Sequence, residues 1–478
     1  MTRPPTAKTP AARPPETGDT DWVPQGAPVV PGSIHRVAVG SRDERGRGSA
    51  TLGRRSLRVP NGLPDETVDV RLVHIGRTTA EVRIEHVVTA SPDRVADACP
   101  HGNVCPGCGL RTTSAAARRT FLRGRIVAAL AKEGLAEVNV LETVAAPLED
   151  GWRHKAFLTA RRTSRGVFLG LYEEHSHRLL GIDGCPAHAE SVERALYAVR
   201  QALARTNPPI YDERSKEGWL RYVAVRASLT TGEAIVTFIA TGRDFAAEQA
   251  LMDLIRRLAP HVSGFVVNVH EAPGNAPFGQ RFAPLAGNPY LTEKSGPFEL
   301  RVSAGSFFQV NPAMGERLHD AVARAARTAP AGPALDLYGG VGCTALRLAS
   351  DGRAVTLIES FGSAAEDALW NARGAEGRPP AFEVRAERVE TALGSGTIVK
   401  PTVVVVNPPR SGLSTEVLER IRDWKPALLL YVACDPRPLA RDLAALVRDG
   451  ASVESVEPFE MMPQTSHVEA LAVVRRPV

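Results

Sequence analysis

Two apolar segments near the end of the chain restrict its fold more than any other feature. The first, at 403–406, is followed by the sequence Asn-Pro-Pro-Arg, and the second runs up to Cys434. Short β-branched or Leu-rich runs that end at breakers are typical of buried parallel strands. Ligands of an open parallel sheet bind beyond the carboxyl ends of its strands, so Asn407 and Cys434 are predicted to face one crevice.

A strand, a glycine-rich turn and a helix-like segment precede these two runs. The apolar stretch at 334–337 includes Asp336, and the sequence Tyr-Gly-Gly-Val-Gly follows it at 338–342. Glycines at such a turn let the backbone approach a ligand closely. The next apolar run ends in Glu359, where a carboxylate can accept hydrogen bonds from both ribose hydroxyls of a bound adenosine. The turn lacks the full Gly-x-Gly-x-x-Gly pattern, which disfavours a dinucleotide site.

Three of the six cysteines, at positions 99, 105 and 108, lie close together among Gly and Pro residues, and Cys185 follows within Gly-Cys-Pro. This spacing favours a metal site over free thiols in a core. Zinc also accepts four thiolates, so the residue types alone do not choose the metal. Six unevenly spaced cysteines do not indicate a secreted disulfide scaffold.

Short alternating segments separated by turns occupy residues 32–88 and predict a small closed barrel. Seven arginines lie between Arg36 and Arg58, against only two acidic residues. They could form a solvated surface or contact an RNA backbone, and the barrel pattern favours RNA. Residues 1–31 are rich in Pro, Thr and Ala and are predicted to be a disordered tail.

The length and charge set wider limits. A chain of 478 residues suggests two to four domains, and a net charge of +5 with a pI near 9.0 permits a polyanionic partner without proving one. No apolar run approaches the roughly 20 residues that span a membrane, and the first residues have no signal-peptide core. We therefore expect a cytoplasmic protein without membrane association.

Three motifs in order and spacing are similar to those of the RNA uracil-C5 methyltransferases: Asn-Pro-Pro-Arg-Ser-Gly at 407–412, Tyr-Val-Ala-Cys-Asp-Pro at 431–436 and Pro-Gln-Thr-Ser-His-Val-Glu at 463–469. The turn Leu-Pro-Asp-Glu at 63–66 resembles the RNA-binding TRAM domain, and Arg-His-Lys at 153–155 stands where the family has a basic motif. The resemblance implies an α/β chain with an OB-like barrel at 32–91, a central α+β domain at 92–300 and a class I, Rossmann-like methyltransferase domain at 301–478.

The resemblance also implies roles for particular residues. Cys434 is the expected nucleophile at uracil C6, and Glu469 is the expected base that removes the C5 proton. The residues expected around S-adenosylmethionine are Gln309, Asp336, Tyr338, Gly340, Glu359 and Asn407. Asn407 replaces an Asp of most relatives and is also expected to contact the uracil edge. The cluster-bearing relatives imply a 4Fe-4S cluster on Cys99, Cys105, Cys108 and Cys185, with a structural or RNA-positioning role.

The expected substrate is a uridine in structured RNA. The cluster and barrel together favour 23S ribosomal RNA, and transfer RNA is the first alternative. Asn-Pro-Pro after a strand also resembles methyltransferases of amino groups, but those enzymes need neither Cys434 nor Glu469. A non-catalytic RNA-binding protein is a third hypothesis, which the same two residues disfavour. The protein is expected to act as a monomer.

Overall fold

The computed structural model describes residues 28–476 except 103, 165, 174, 175, 177, 243, 244, 272–276 and 375–380. Residues 1–27, most of the predicted disordered tail, lie outside the described residues. The chain forms two compact units, one of residues 28–98, 107–118 and 464–466 and one of residues 99–106, 119–463 and 467–476. In the described part of the chain, no helix is long and apolar enough to cross a membrane.

The first unit contains a five-stranded sheet with the order β1-β4-β5-β3-β2. Its strands are β1 (Ile34–Ala38), β2 (Gly48–Leu52), β3 (Arg55–Val59), β4 (Thr67–Ile75) and β5 (Thr79–Thr89). The N–H of Gly40 donates to the carbonyl of Ser49 (2.7 Å), and the N–H of Ser49 donates to the carbonyl of Ser41 (2.9 Å). These bonds bring the two edges of the sheet together around a core of Val, Leu and Ala side chains. β2 was not among the predicted strands, because its sequence Gly-Ser-Ala-Thr-Leu alternates only weakly.

The turn between β3 and β4 is fixed by one buried carboxylate. Asp65 has a left-handed backbone with φ of 66°. Glu66 is buried and accepts a hydrogen bond from the N–H of Leu63 (2.9 Å) and another from Nη2 of Arg94 (2.7 Å). Because a buried carboxylate is stable only when it is paired, this ion pair holds the turn in place. The helix α1 (Ala115–Lys132) follows later in the chain.

The second unit begins with a seven-stranded sheet, here called the central sheet. Its strands are β6 (Lys155–Thr163), β7 (Gly166–Tyr172), β8 (Leu179–Leu180), β9 (Leu220–Ala227), β10 (Ala234–Ala240), β11 (Val262–Val269) and β12 (Arg281–Gly287), in the order β12-β11-β10-β9-β6-β7-β8. The helices α2 (Glu190–Thr206) and α3 (Glu248–Leu258) cover one face and share a large apolar core with it. This is the predicted sheet with helices on one face.

A hairpin of β13 (Tyr290–Ser295) and β14 (Phe298–Ser303) leads to the second seven-stranded sheet, here called the C-terminal sheet. Its strands are β15 (Ala334–Leu337), β16 (Val355–Ile358), β17 (Phe382–Arg385), β18 (Val403–Val406), β19 (Leu428–Ala433), β20 (Ser452–Phe459) and β21 (Glu469–Arg475), and the helices around it are α4 (Pro312–Arg327), α5 (Cys343–Ser350), α6 (Gly362–Gly374), α7 (Val389–Gly394), α8 (Thr415–Trp424) and α9 (Pro436–Arg448). The order is β17-β16-β15-β18-β19-β21-β20, with β21 antiparallel to its neighbours.

This architecture confirms the predicted fold class. The chain passes from β15 outward to β17 and then returns to the other side of β15 with β18, which makes a topological switch point between β15 and β18. Such a point leaves a crevice beyond the carboxyl ends of the two strands. Leu122, Ile126 and Leu130 of α1 are buried in the core of the C-terminal sheet, although these positions fall within the range expected for the central domain, residues 92–300.

Candidate active site

A pocket opens at the switch point, beyond the ends of β15 and β18. Leu337 pairs with Val406, and Val406 pairs with Tyr431, so the residues that follow the three strands lie side by side. The pocket is lined by Phe307, Phe308, Gln309, Leu318, His319, Asp336, Tyr338, Gly339, Gly340, Val341, Cys343, Thr344, Val405, Asn407 and Val432. Five of the six residues predicted to hold the cofactor line it. Glu359 does not, although it is bonded to the turn that does.

The turn between β15 and α5 has an unusual backbone. Tyr338, Gly340 and Gly342 have left-handed φ angles of 61°, 57° and 94°. A Cβ atom at Gly340 would meet only the carbonyl of Phe307, at 3.9 Å, so the space beside this glycine is open. The first residues of α5, Cys343 and Thr344, also line the pocket. The turn therefore presents backbone and a helix N-terminus to whatever occupies the pocket.

Two carboxylates flank this turn. Asp336 is 2% exposed, and burial raises its pKa to about 7, with a smaller contribution from the charge of Glu359. No described residue bonds to Oδ2 of Asp336. Glu359 accepts hydrogen bonds from the N–H groups of Gly340 (3.1 Å) and Phe361 (2.7 Å). A buried acceptor without a partner suits a donor on a ligand, such as the ammonium group of an amino acid.

The segment before α4 places Gln309 at the pocket. Asn311 caps α4 by accepting a hydrogen bond from the N–H of Met314 (3.2 Å), and Pro312 occupies the first helical position. His319, two turns along α4, lines the pocket and contacts Oγ1 of Thr344 through Nδ1 (3.1 Å). Burial lowers the pKa of His319 to about 3, so its ring is neutral. Sequence reasoning missed His319 and Thr344, because only the packing of α4 on α5 brings them together.

Cys434 and Glu469 lie close together where the parallel strands of the C-terminal sheet end. Ala433 ends β19 and pairs with Ala470 of the antiparallel β21, so Cys434 follows one residue of that pair and Glu469 precedes the other. Asp435 then caps α9 by accepting from the N–H of Arg437 (3.0 Å). Cys434 therefore lies between the end of a strand and the cap of a helix.

The electrostatic surroundings couple these two groups. Glu469 is 5% exposed, and burial raises its pKa to about 7 against the opposing charge of Arg410. Burial also raises the pKa of the half-buried Cys434 thiol, with the carboxylate of Glu469 as the next contribution, while Arg410 lowers it. Burial lowers the pKa of the nearby His467, and Arg410 adds to this effect. The site thus holds a thiol and a carboxyl group that influence each other, beside one arginine.

The loop that carries Asn407 and Arg410 is tied to α9 through Asp442. Its buried carboxylate accepts hydrogen bonds from the hydroxyl of Tyr431 (2.8 Å) and the N–H of Leu413 (2.9 Å). Because both donors flank the site, this contact fixes the loop after β18 against the strand that ends at Cys434. Nothing in the local sequence marked Asp442 for this role.

Three of the four predicted cluster ligands lie in the second unit, and Cys108 belongs to the first. Nε2 of His101 bonds to the carbonyl of Asp183 (2.7 Å), which holds the loop of Cys99 beside that of Cys185. Burial raises the pKa of the Cys185 thiol, and the backbone N–H groups of Ala187 and His188 oppose this shift. These thiols fit an iron-sulfur cluster or zinc by donor chemistry. Within the described ranges, however, no three His, Cys, Asp or Glu side chains are grouped closely enough to hold a metal ion.

The chain is similar to known RNA methyltransferases in one C-terminal segment and over nearly its whole length. Residues 397–476 match the family model of tRNA (Uracil-5-)-methyltransferase. An uncharacterized RNA methyltransferase of Halalkalibacterium halodurans is 31% identical over 453 residues, which cover 94% of this chain and 98% of that protein. Another, of Geobacter sulfurreducens, is 33% identical over 450 residues, covering 93% of this chain and 90% of that protein.

A similar solved structure is the Pyrococcus abyssi tRNA (uracil-54, C5)-methyltransferase in complex with S-adenosyl-L-homocysteine. It superposes with a TM-score of 0.72 at 23% identity and covers 92% of this chain and 99% of that chain. At this identity the likeness shows a shared fold over nearly the whole length.

Proposed function

This chain belongs to the RNA (uracil-5-)-methyltransferase family, and we propose that it transfers a methyl group from S-adenosylmethionine to C5 of a uridine through a covalent adduct on Cys434. The observation that carries the proposal is that Cys434 and Glu469 lie together where the parallel strands of the C-terminal sheet end. Asn407, after the neighbouring strand β18, lines the pocket. The bound cofactor supplies the methyl group as an electrophile at its sulfonium.

The chemistry of uracil explains why a thiol and a carboxylate are both needed. C5 is too weak a nucleophile to take the methyl group unaided, and addition of the Cys434 thiolate to C6 gives an enolate that can. The methylated C5 still carries a proton, and Glu469 takes it as the thiolate leaves C6. A pKa near 7 suits a base at neutral pH, since a useful fraction is ionised and the acceptor is still strong.

Three features support S-adenosylmethionine in the pocket. The open space at Gly340 admits a ligand against the backbone, and the buried Oδ2 of Asp336 can accept from the ammonium group of its methionine part. Glu359, beside the turn, offers its remaining lone pairs to the ribose hydroxyls.

Asn407 is proposed to contact the uracil edge. Its side chain keeps a carbonyl acceptor for N3–H of uracil and adds an amide donor that can face O4.

The proposed substrate is structured RNA, with 23S ribosomal RNA favoured over transfer RNA. We also propose that the enzyme is a monomer and acts in the cytoplasm. The barrel of the first unit supports an RNA partner. Arg54 and Arg58 are exposed there and form no ion pair with another described residue, so they can contact backbone phosphates. This barrel would act as the TRAM domain that the turn at 63–66 resembles.

A 4Fe-4S cluster on Cys99, Cys105, Cys108 and Cys185 is proposed as a structural part of the enzyme, because methyl transfer to uracil is not a redox reaction and needs no electron carrier. Anaerobically purified full-length protein is expected to contain about four iron and four sulfide per chain. Stoichiometric zinc without iron or sulfide would replace the cluster with a zinc site.

Tritium release from RNA labelled at uridine C5 tests the reaction. Full-length enzyme is incubated with ribosomal or transfer RNA transcripts, with and without S-adenosylmethionine. Release that requires the cofactor is expected from ribosomal RNA, and release only from transfer RNA would reverse the order of the substrates. Methyl incorporation without release from either RNA would replace C5 chemistry with amino-group methylation.

A further inference from the structure

The central sheet has one face that the helices do not cover. α2 and α3 bury the side chains of one face, including Leu158, Val223 and Val236. The other face is covered only in part: Ile235 and Val266 pack against Leu291 and Ala304. Toward β6 and the start of β9 this face stays partly accessible, because Lys155, Phe157 and Tyr222 are half-buried, whereas Ala224 and Arg226 further along β9 are buried.

Aromatic rings concentrate on the accessible part. Phe157 lies 5.0 Å from Tyr222 and 5.4 Å from Phe278 between ring centroids, and Phe278 lies 5.5 Å from Phe282. All four side chains are partly exposed. A row of rings that were only a hydrophobic core would be closed to solvent, as the stacked pair Phe238 and Phe265 is on the opposite face.

The charge of the central sheet is of one sign. Its strands contain six basic residues, Lys155, Arg161, Arg162, Arg221, Arg226 and Arg281, and no Asp or Glu. Lys155 pairs in register with Arg226, and its Nζ lies 5.1 Å from the ring centroid of Phe278. Burial, with the charges of Arg226 and Arg153, lowers the pKa of Lys155 to about 7, and a phosphate beside its Nζ would favour the protonated form. In the described part of the chain no carboxylate forms an ion pair with Lys155. Arg221, by contrast, is paired with Glu213 (3.0 Å). Aromatic rings beside a basic side chain are typical of a site for single-stranded nucleic acid.

The row of rings leads to the cofactor pocket. Phe282 packs against Gly305, where an added Cβ atom would approach its ring to 2.9 Å, and its ring centroid lies 6.0 Å from that of Phe361. The N–H of Phe361 donates to Glu359 at the glycine turn. Phe307, two residues after Gly305, lines the pocket and is 60% exposed. The row of rings therefore reaches Phe361, which is bonded to Glu359 beside the glycine turn of the pocket.

We propose that this surface, made of Phe157, Tyr222, Phe278 and Phe282 with Lys155, binds the single-stranded RNA that flanks the target uridine. Bases stack on the rings while Lys155 contacts a phosphate, and the track directs the strand toward Cys434. The proposal rests on the proposed function for its substrate class. The new element is that the central sheet contacts the RNA, in addition to the barrel and the residues around Cys434.

Substitutions in the full-length enzyme test this surface. Phe157→Leu and Tyr222→Leu are each expected to weaken binding of a fluorescein-labelled single-stranded RNA of about ten nucleotides by roughly tenfold. They should raise the KM for RNA by a similar factor and leave kcat and the Kd for S-adenosylmethionine unchanged. Phe157→Tyr, which keeps a ring, should restore binding. Lys155→Met should lower the slope of log Kd against log salt by about 0.7, the value for one lost phosphate contact.

The matched control is Tyr197→Leu. Tyr197 is 58% exposed and lies on α2, on the covered side of the same sheet. Its loss should change neither the affinity for the RNA oligonucleotide nor the KM for RNA. Unchanged RNA affinity and KM in both leucine variants, with C5 methylation intact in the parent, would overturn the surface and leave the proposed function standing. If the parent releases no tritium, the oligonucleotide affinities still decide the surface by themselves.

Discussion

The two seven-stranded sheets of the second unit carry their polar chemistry in different ways. In the C-terminal sheet the candidate residues lie at the ends of parallel strands: Asp336 is within the last two residues of β15, Asn407 follows β18 and Cys434 follows β19. In the central sheet the candidate residues alternate within antiparallel strands, and Phe157, Tyr222 and Lys155 come together only through strand register. The first arrangement creates a crevice and the second creates a surface.

This difference suggests a division of labour. A crevice excludes water and brings a thiol, a carboxylate and a cofactor pocket together, which serves bond making. In the proposed function, the accessible face with its rings and Lys155 holds the RNA. Substitutions at the C-terminal edge should therefore change kcat or cofactor affinity, and substitutions on the central face should change the KM for RNA.

Cys434→Ala should have the largest effect and tests whether the crevice alone performs the chemistry. Turnover should fall by on the order of 10⁴-fold or more, because the variant lacks the thiolate that adds to C6. The Kd for S-adenosylmethionine should stay within about threefold, because Cys434 does not line the pocket. Tritium release and calorimetric titration with the cofactor measure the two quantities. Turnover that survives in this variant would remove Cys434 from the mechanism.

Glu469→Gln should stop the reaction one step later. Loss of the base should slow turnover by about 10²- to 10⁴-fold and leave a covalent protein–RNA adduct, visible as a shifted band in denaturing gels. The exposed Glu454→Gln on β20 is the control and should show no adduct. Free RNA with normal turnover in Glu469→Gln would contradict the role of this carboxylate.

The pH dependence follows from the same carboxylate. Since burial raises the pKa of Glu469 to about 7, the carboxylate form is lost below that pH and gained above it. Ionisation of Glu469 should contribute a rise in rate of about tenfold from pH 6 to pH 8, and this contribution should disappear in Glu469→Gln. The rise that comes from ionisation of the Cys434 thiol, whose pKa burial raises, should remain in the variant. For stability the sign is opposite: the raised pKa favours folding below about 4.5, and this contribution is lost as the pH rises through 7.

The comparison of the sheets also shows how much the sequence could reveal. The parallel strands and the residues after them could be predicted, because strand, turn and function are adjacent in the chain for Asp336, Asn407 and Cys434. His319 and Thr344 could not be predicted, since they meet only through the packing of α4 on α5. The rings of the central face were equally hidden, because Phe157 and Tyr222 are far apart in sequence and look like ordinary strand residues.

Asp336→Asn should weaken cofactor binding and test how the crevice recognises its ligand. Loss of the charged acceptor should lower the affinity for S-adenosylmethionine by roughly 10- to 100-fold. Because burial raises the pKa of Asp336 to about 7, the affinity of the parent should fall as the pH drops below 7, and the variant should be insensitive. The control is Asp351→Asn at the far end of α5, where Asp351 pairs with Arg327 on the surface. Equal affinities for the parent and Asp336→Asn would exclude this carboxylate from the site.

Phe361→Leu should have the smallest effect, because Phe361 lies where the two regions meet. Its ring contacts Phe282 of the central face, and its N–H holds Glu359 beside the glycine turn. A leucine keeps the backbone bond and removes the ring, so the KM for RNA should rise about threefold while the Kd for S-adenosylmethionine stays constant. Trp370→Leu, an exposed aromatic position on the neighbouring α6, is the control and should change neither constant. A change in cofactor affinity without a change in KM would show that the aromatic track ends before Phe361, so that this ring belongs to the crevice alone.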